Sequence, residues 1–555
     1  MIRNKFFLLI FTCLATILSA QGPAQNWYHL DKSDGYNGIS TFRAYKELIK
    51  NNPGKTVIVA VIDSGIDAEH EDLKDNMWVN PGEIPGNGVD DDSNGYIDDI
   101  HGWNFIGGKN GQNVGPDSYE ATRVYASMKY KYDSADPNKL TKEQQKEYKL
   151  FIDVKTKVEA ERKSAEAAIG RLNAAEEKIM AGFATIESLM TAKNLTYDSL
   201  QTLDLSNDQD AAIALKVITQ MREQNPEINS VSGAKKLFKD AINEDKQPYI
   251  NKLEISYNPD FDSRKTIVKD DYANSNERNY GNNDVEGPDA LHGTHVAGII
   301  GAVSDNKLGN DGVARNVKLM SVRAVPDGDE RDKDVANAIR YAVDNGAQVI
   351  NMSFGKGYSW DKKVVDEAVK YAAKHDVLLV HAAGNSAMDN DTSDNFPNDD
   401  LGKSGFLCKK TKNAKNWIEV GALSYKKEED MVAGFSNYGK KNVDIFSPGV
   451  QIFNTLPDNK YANLQGTSMA SPVVAGVAAV LRSQFPSLTA EQVKDIILKS
   501  SVKSVQIVKK PGTKGAEKVG FNTLSTTGGE VNLFEAVKLA GSVKGKKKMP
   551  KTSNA

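Results

Sequence analysis

The sequence predicts an α/β fold, a doubly wound and mostly parallel sheet interrupted by a large α-helical insertion. Three observations carry this expectation. Short unbroken apolar runs recur along the chain, helical stretches separate them, and between about Tyr119 and Pro259 the texture changes to amphipathic helix. The 555 residues, 39% apolar and 26% charged, suffice for one large α/β domain with an accessory part and exclude disorder of the whole chain. Lys+Arg 70 against Asp+Glu 74 leaves a formal charge of -4, so no global basic field argues for nucleic acid as the partner.

The N-terminus comes first in order. Arg3 and Lys5 precede the apolar run Phe6 to Leu18, and Ser19, Ala20 and Gln21 follow, the pattern of a secretory signal peptide over residues 1–20. The run is short for a membrane helix, and no later segment offers about 20 uninterrupted apolar residues. The mature protein is therefore expected to be exported, to the periplasm or outside the cell, with no integral membrane segment after cleavage. Cys13 leaves with the signal, so Cys408 remains alone, a spectator thiol, and no internal disulfide is expected.

The apolar runs are Thr56–Ile62, Val317–Val325, Gln348–Phe354, Val377–His381 and Trp417–Leu423. They do not alternate with polar residues, which suits strands buried on both faces of a parallel sheet. Helices are expected at Asp334–Asn345, Asp361–Lys374, Met469–Gln484 and Thr489–Ser500, the last capped by Thr489 without a full capping box. In the interrupting segment Phe151, Val154, Val158, Ala165, Leu172, Ala175, Ile179, Phe183, Ile186 and Met190 recur at three, four or seven residues. This spacing predicts a long amphipathic helix, the first arm of an antiparallel hairpin or small bundle, with return helices at Ala211–Glu223 and Ala234–Ile242. The domain reading is a first α/β part over 21–118, the helical insertion over 119–260, a second α/β part over 261–540 and a basic tail over 541–555.

The chemistry-bearing residues sit at the ends of these elements. The first strand runs into Asp63-Ser64-Gly65-Ile66-Asp67, and an acid at the carboxyl end of a parallel strand lies where such sheets place their ligand crevice; alone it could equally be a cap. His292-Gly293-Thr294-His295-Val296-Ala297-Gly298 opens a small-residue helix, with His295 expected to be structural. Gly466-Thr467-Ser468-Met469-Ala470-Ser471-Pro472 places a serine at the mouth of an apolar helix, where free N–H groups and the helix dipole favour developing negative charge. His381-Ala382-Ala383-Gly384-Asn385 ends another strand.

Together these blocks resemble the signatures of the subtilisin-like serine peptidases, in that family's chain order Asp, His, Ser, which differs from the order in chymotrypsin-like and α/β-hydrolase folds. The resemblance covers about Trp27 to Gly115 and Gly281 to Leu539. It implies a subtilisin-like fold and a serine endopeptidase acting on polypeptides through an acyl-enzyme. It implies Ser468 as nucleophile, His292 as general base and then acid, and Asp63 as the group orienting the imidazole. It further implies that Asn385 and the Ser468 N–H hold the oxyanion, and that Ser353, Phe354, Gly355, Ala383 and Gly384 contact substrate, the first three as an edge that pairs with its backbone. A catalytically silent binding scaffold using the helical insertion is the rival; the intact Asp63, His292, Ser468 and Asn385 argue against it. An acyl transferase on the same site is a third possibility.

Two departures from the resemblance stand out. Asp63 and His292 are 229 positions apart, so the helical segment interrupts the catalytic blocks, where it would gate the cleft, contact a protein substrate or partner, or pack alongside. Only about 35 residues separate the signal from the first strand, too few for a folding-assisting propeptide, so folding is expected not to need one.

Asp90-Asp91-Asp92-Ser93-Asn94-Gly95-Tyr96-Ile97-Asp98 reads D-x-D-x-N-G-x-I-D, which matches the first nine positions of a calcium loop. The expected Ca2+ ligands are Asp90, Asp92, Asn94, the Tyr96 carbonyl and Asp98. Position twelve is His101, so the loop is not a complete EF-hand, and the ion would be structural. Asp389, Asp391 and Asp394, downstream of Asn385, read as a solvated loop, the alternatives being a preference for basic residues near the scissile bond or a second cation site.

Overall fold

The structure, a computed structural model, describes residues 22–403 and 411–547. The segment read as a signal peptide, Cys408 and the last part of the basic tail lie outside these residues. The chain divides into two compact units, one formed by residues 121–261 and the other by the rest.

The helical unit contains α1 (Glu120–Tyr132) from Ala121 onward, α2 (Lys142–Ala192), α3 (Gln209–Gln224) and α4 (Val231–Asn251). α2 runs for 51 residues. Thr141 starts it with a capping box, its hydroxyl accepting from the Gln144 N–H while the Gln144 side chain accepts from the Thr141 N–H. Phe151, Val154, Val158, Ile179, Phe183 and Ile186 are buried at helical spacing, as the periodicity predicts. At its C-terminal half they meet Ala214, Ile218 and Met221 of α3 and Ala234, Phe238 and Ile242 of α4, so the unit buries an apolar core of its own.

In the α/β unit nine strands form one sheet: β1 (Val57–Asp63), β2 (Gly102–Asn104), β3 (Val317–Arg323), β4 (Val349–Met352), β5 (Leu378–Ala382), β6 (Trp417–Leu423), β7 (Ile445–Pro448), β8 (Val502–Lys503) and β9 (Gly529–Glu530). Their order is β8-β9-β7-β6-β5-β4-β1-β3-β2. Every pair is parallel except β8 with β9 at one edge. β1 is an interior strand, in register with β3 from Val57↔Val317 to Asp63↔Arg323 and with β4 from Val59↔Val349 to Ile62↔Met352.

Successive strand side chains point to opposite faces, and β1 feeds two cores accordingly. Val57, Val59 and Val61 pack with Val296 and Ile300 of α5 (Leu291–Gly301) and with Val473 and Val477 of α8 (Thr467–Gln484). Ala60 and Ile62 pack on the other face with Ile339 of α6 (Asp332–Asp344) and Val369 of α7 (Lys362–Lys374). Helices therefore cover both faces, which is the doubly wound arrangement predicted.

Two local expectations are corrected. The strand predicted to reach Phe354 leaves the ladder at Met352; β1 and β5 run only one residue further, to Asp63 and Ala382, so no strand lies opposite Phe354 and Gly355. The helix α9 (Ala490–Lys499) does carry a full capping box: Gln492 lies three residues after Thr489, and each side chain accepts the other's backbone N–H. Among the described residues no helix is long and apolar enough to cross a membrane.

Candidate active site

Asp63 ends β1, His292 lies in the first turn of α5, and Ser468 lies in the first turn of α8. Ser353–Gly355 follow β4 and Ala383–Asn385 follow β5, so all five segments gather at the carboxyl end of the parallel strands. The first turn of α5 comes very close to the end of β1: a β-carbon at Gly293 would sit 2.1 Å from the Gly65 carbonyl oxygen. Only glycine lets the neighbouring imidazole reach Asp63.

Asp63 is 2% exposed. Its Oδ1 accepts the Ser64 N–H at 2.8 Å and lies 2.6 Å from His292 Nδ1. Burial alone would depress the imidazole, but the Asp63 carboxylate outweighs it, with a smaller contribution from Asp289, and the His292 pKa is raised. With 37% of its side chain exposed, His292 keeps its other edge open. His295 is the opposite case: fully buried, with Nε2 near the Ile452 and Ala462 carbonyls, it is pushed down by burial to about 4 and stays neutral.

The Ser468 hydroxyl donates to the Ser353 carbonyl at 3.1 Å; among the described residues no hydrogen bond joins it to His292. Such bonds commonly tighten only when a substrate is in place. The Ser353 hydroxyl in turn donates to the Ser468 carbonyl and lies 2.9 Å from Ser471 Oγ, while Asn351 Nδ2 donates to it. Ser353 thereby fixes the first turn of α8.

Asn385 Oδ1 accepts the Thr467 N–H at 2.8 Å and the Thr467 hydroxyl at 3.0 Å. Its amide nitrogen is turned away from Thr467 as a result. At Gly466, whose φ is +155°, a β-carbon would lie 3.4 Å from Asn385 Nδ2 and 3.5 Å from the Ser468 backbone nitrogen. Two N–H donors thus converge on one small space beside the Ser468 side chain, the geometry that holds a developing oxyanion. Thr467 escaped the sequence reading, although it sits within the serine block itself.

Phe354 is half-buried and Gly355 exposed, and their backbone groups make no hydrogen bond among the described residues. The chain re-enters pairing at Lys356, whose N–H and carbonyl exchange bonds with Phe396 at 2.9 and 2.8 Å. Gly384 donates its N–H to the Thr467 hydroxyl. Ala383 differs from expectation: it is fully buried, its N–H bonded to the Val420 carbonyl and its own carbonyl taken by Asn390 and Asn395. It backs the wall of the cleft and presents no free group to it.

In the acidic loop Glu83, Asp90 and Asp92 bring one carboxylate oxygen each within 4.8 Å of one another. Three like charges at that spacing repel unless a cation joins them, and among the described ion pairs none involves these residues. Glu83 was missed because it precedes the loop pattern. Asn94 Oδ1 accepts the Tyr96 N–H, Tyr96 buries its ring, and Asp98 turns its carboxylate to the N–H groups of Gly86, Asn87 and Gly88. Asp98 caps a turn and stands outside the carboxylate group, contrary to expectation. Asp391 likewise accepts the Lys441 and Asn442 N–H groups, so its loop is tied down and not merely solvated.

A family model described as the subtilase family matches residues 54–529. A thermophilic serine proteinase of Bacillus sp. (strain AK1) is 42% identical over 194 residues, 35% of this chain and 43% of that protein. Subtilisin DY of Bacillus licheniformis is 38% identical over 37% of this chain and 68% of its own length, and thermitase of Thermoactinomyces vulgaris 38% over 35% and 61%. The chain thus covers less than half of the first of these relatives.

Proposed function

Because the chain belongs to the subtilase family, we propose that it is an exported serine endopeptidase acting on polypeptides. The observation that carries this reading is the 2.6 Å Asp63–His292 contact set beside a serine at a helix N-terminus. In the proposed mechanism His292 takes the Ser468 proton as Oγ attacks the scissile carbonyl, and Asp63 stabilises the imidazolium. The oxyanion is held by Asn385 Nδ2 and the Ser468 N–H. His292 then protonates the leaving amine, and water attacks the acyl-enzyme by the same route in reverse. Export is supported by the charged, apolar and small-residue succession at residues 1–20. The helical unit builds its own core, and contact with a protein substrate or partner is the role proposed for it.

The test is fluorophosphonate labelling of the mature protein beside Ser468→Ala. Labelling of the wild type alone is expected; an unlabelled, folded wild type would turn the reading toward a silent scaffold. Asn385→Ala is expected to lower kcat about 10²–10³-fold with little change in KM, a size measured on a subtilisin and carried over. Steady-state kinetics on a peptide anilide checks it.

We also propose Ca2+ at the carboxylates of Glu83, Asp90 and Asp92, where the ion would stabilise the loop and take no part in acyl transfer. At calcium about 100-fold above Kd, binding contributes about 2.7 kcal/mol. Chelation is therefore expected to lower Tm by several degrees, and Asp90→Asn to abolish that dependence. Equal melting with calcium and with chelator in the wild type would refute the site.

A further inference from the structure

The segment Ser353–Gly355 belongs to no ladder, so its position depends on what holds its two ends. One end is Ser353, whose hydroxyl is bonded into the first turn of α8. The other is Lys356, and its side chain is unusual. The side chain is 1% exposed, and its ammonium lies 2.8 Å from Asp332 Oδ1 and 3.5 Å from Glu120 Oε1 and donates to the Glu330 carbonyl at 2.7 Å. Burial pushes the Asp332 carboxyl up, yet Lys356, together with the Asp361 N–H and the Ser359 hydroxyl, more than offsets it and the group stays below its ordinary range.

The same two acids organise the chain beyond Lys356. Asp332 Oδ2 accepts the Ser359 hydroxyl and the Asp361 N–H, each at 2.7 Å, and Glu120 Oε1 accepts the Trp360 N–H at 2.8 Å. Removing an ammonium from water costs several kcal/mol, and a well-packed apolar side chain usually serves stability as well. What an ion pair adds over an apolar contact is a fixed geometry. Here the geometry fixed is that of the residue directly after the open edge, the same residue whose backbone is stitched to Phe396 next to Asn395.

We propose that Lys356 is a positioning residue, which through Asp332 and Glu120 holds the edge Ser353–Gly355 at the spacing a substrate strand requires. The proposal rests on the peptidase reading above. Glu120 is the last residue of the α/β unit before the helical one begins.

Substrate length separates positioning from general damage, because a single-residue ester does not use the edge and a tetrapeptide anilide does. Lys356→Met is expected to lower kcat/KM for the tetrapeptide about 30-fold, through KM, the equivalent of two ordinary hydrogen bonds. The ester and the rate of fluorophosphonate labelling should fall less than about three-fold, since Asp63, His292 and Ser468 are untouched. Lys356→Arg, which keeps the charge, is expected to recover most of the loss, and Glu120→Gln to raise the tetrapeptide KM several-fold. An unchanged tetrapeptide KM in Lys356→Met, equal losses on both substrates, or an arginine variant no better than methionine would each overturn the proposal. If Lys356→Met does not fold, an unchanged tetrapeptide KM in Glu120→Gln overturns it instead. A wild type that neither labels nor cleaves would overturn the peptidase reading itself, and this proposal with it.

Discussion

Ser468→Ala is expected to lower kcat about 10⁶-fold, with KM for a peptide anilide nearly unchanged, and adding His292→Ala is expected to cost almost nothing more. The size is known from a subtilisin and is carried over; the reason lies in the geometry. Without Oγ there is no atom for the imidazole to deprotonate, so the Asp63–His292 pair is left with no reaction to serve. The donors at Asn385 and the Ser468 N–H remain, and they account for a residual rate above that of water. Among the described residues Ser468 Oγ makes only the bond to Ser353, while Ser353 Oγ keeps its own bonds to α8, so the variant should melt as the wild type does. Additive losses in the double variant would mean that His292 and Ser468 do not act as a unit.

Asp63→Asn should lower kcat about 10⁴-fold by offering His292 the wrong hydrogen-bond partner. It also carries a pH signature. Asp63 is what raises the imidazole above its ordinary value of 6.5 despite burial, so its loss should move the acid limb of kcat/KM to lower pH. Stability runs the other way. A histidine whose folded pKa is raised adds stability that is fully present below its unfolded pKa and fades as pH rises through the folded one. The wild type should therefore exceed Asp63→Asn in Tm most at acidic pH, with the gap narrowing as pH climbs and activity develops. An acid limb that stays in place would show that another group sets the His292 pKa.

Much of this site is legible in the sequence because its parts are local. The apolar run through Val57–Ile62 declares a strand buried on both faces, and a histidine or serine just before a small-residue helix declares its place in the first turn. What the sequence conceals is what a distant neighbour decides. Ser353-Phe354-Gly355 continues an apolar run and reads as strand, yet a strand needs partners, and the strands on either side end level with Ser353. Ala383 looks like its neighbours in the block, but both its backbone groups are consumed by residues far along the chain or on the following loop. Glu83 joins Asp90 and Asp92 only because the loop folds back on it, and Lys356 carries no motif at all.

The interior position of β1 has a kinetic consequence. Its two ladder partners, β3 from Val317 and β4 from Val349, both follow the whole helical unit in the chain. The strand that carries Asp63 must therefore wait, with its valines unpaired, while some 250 residues of later chain are ordered around it. Helices built from neighbouring residues form early, and parallel pairing across so long a span forms late. The helical unit, rich in local contacts, is thus the part able to fold while β1 is still unpaired. Recovery of activity after denaturation is therefore expected to wait on the pairing of this seven-residue strand, and refolding kinetics followed by activity would check it.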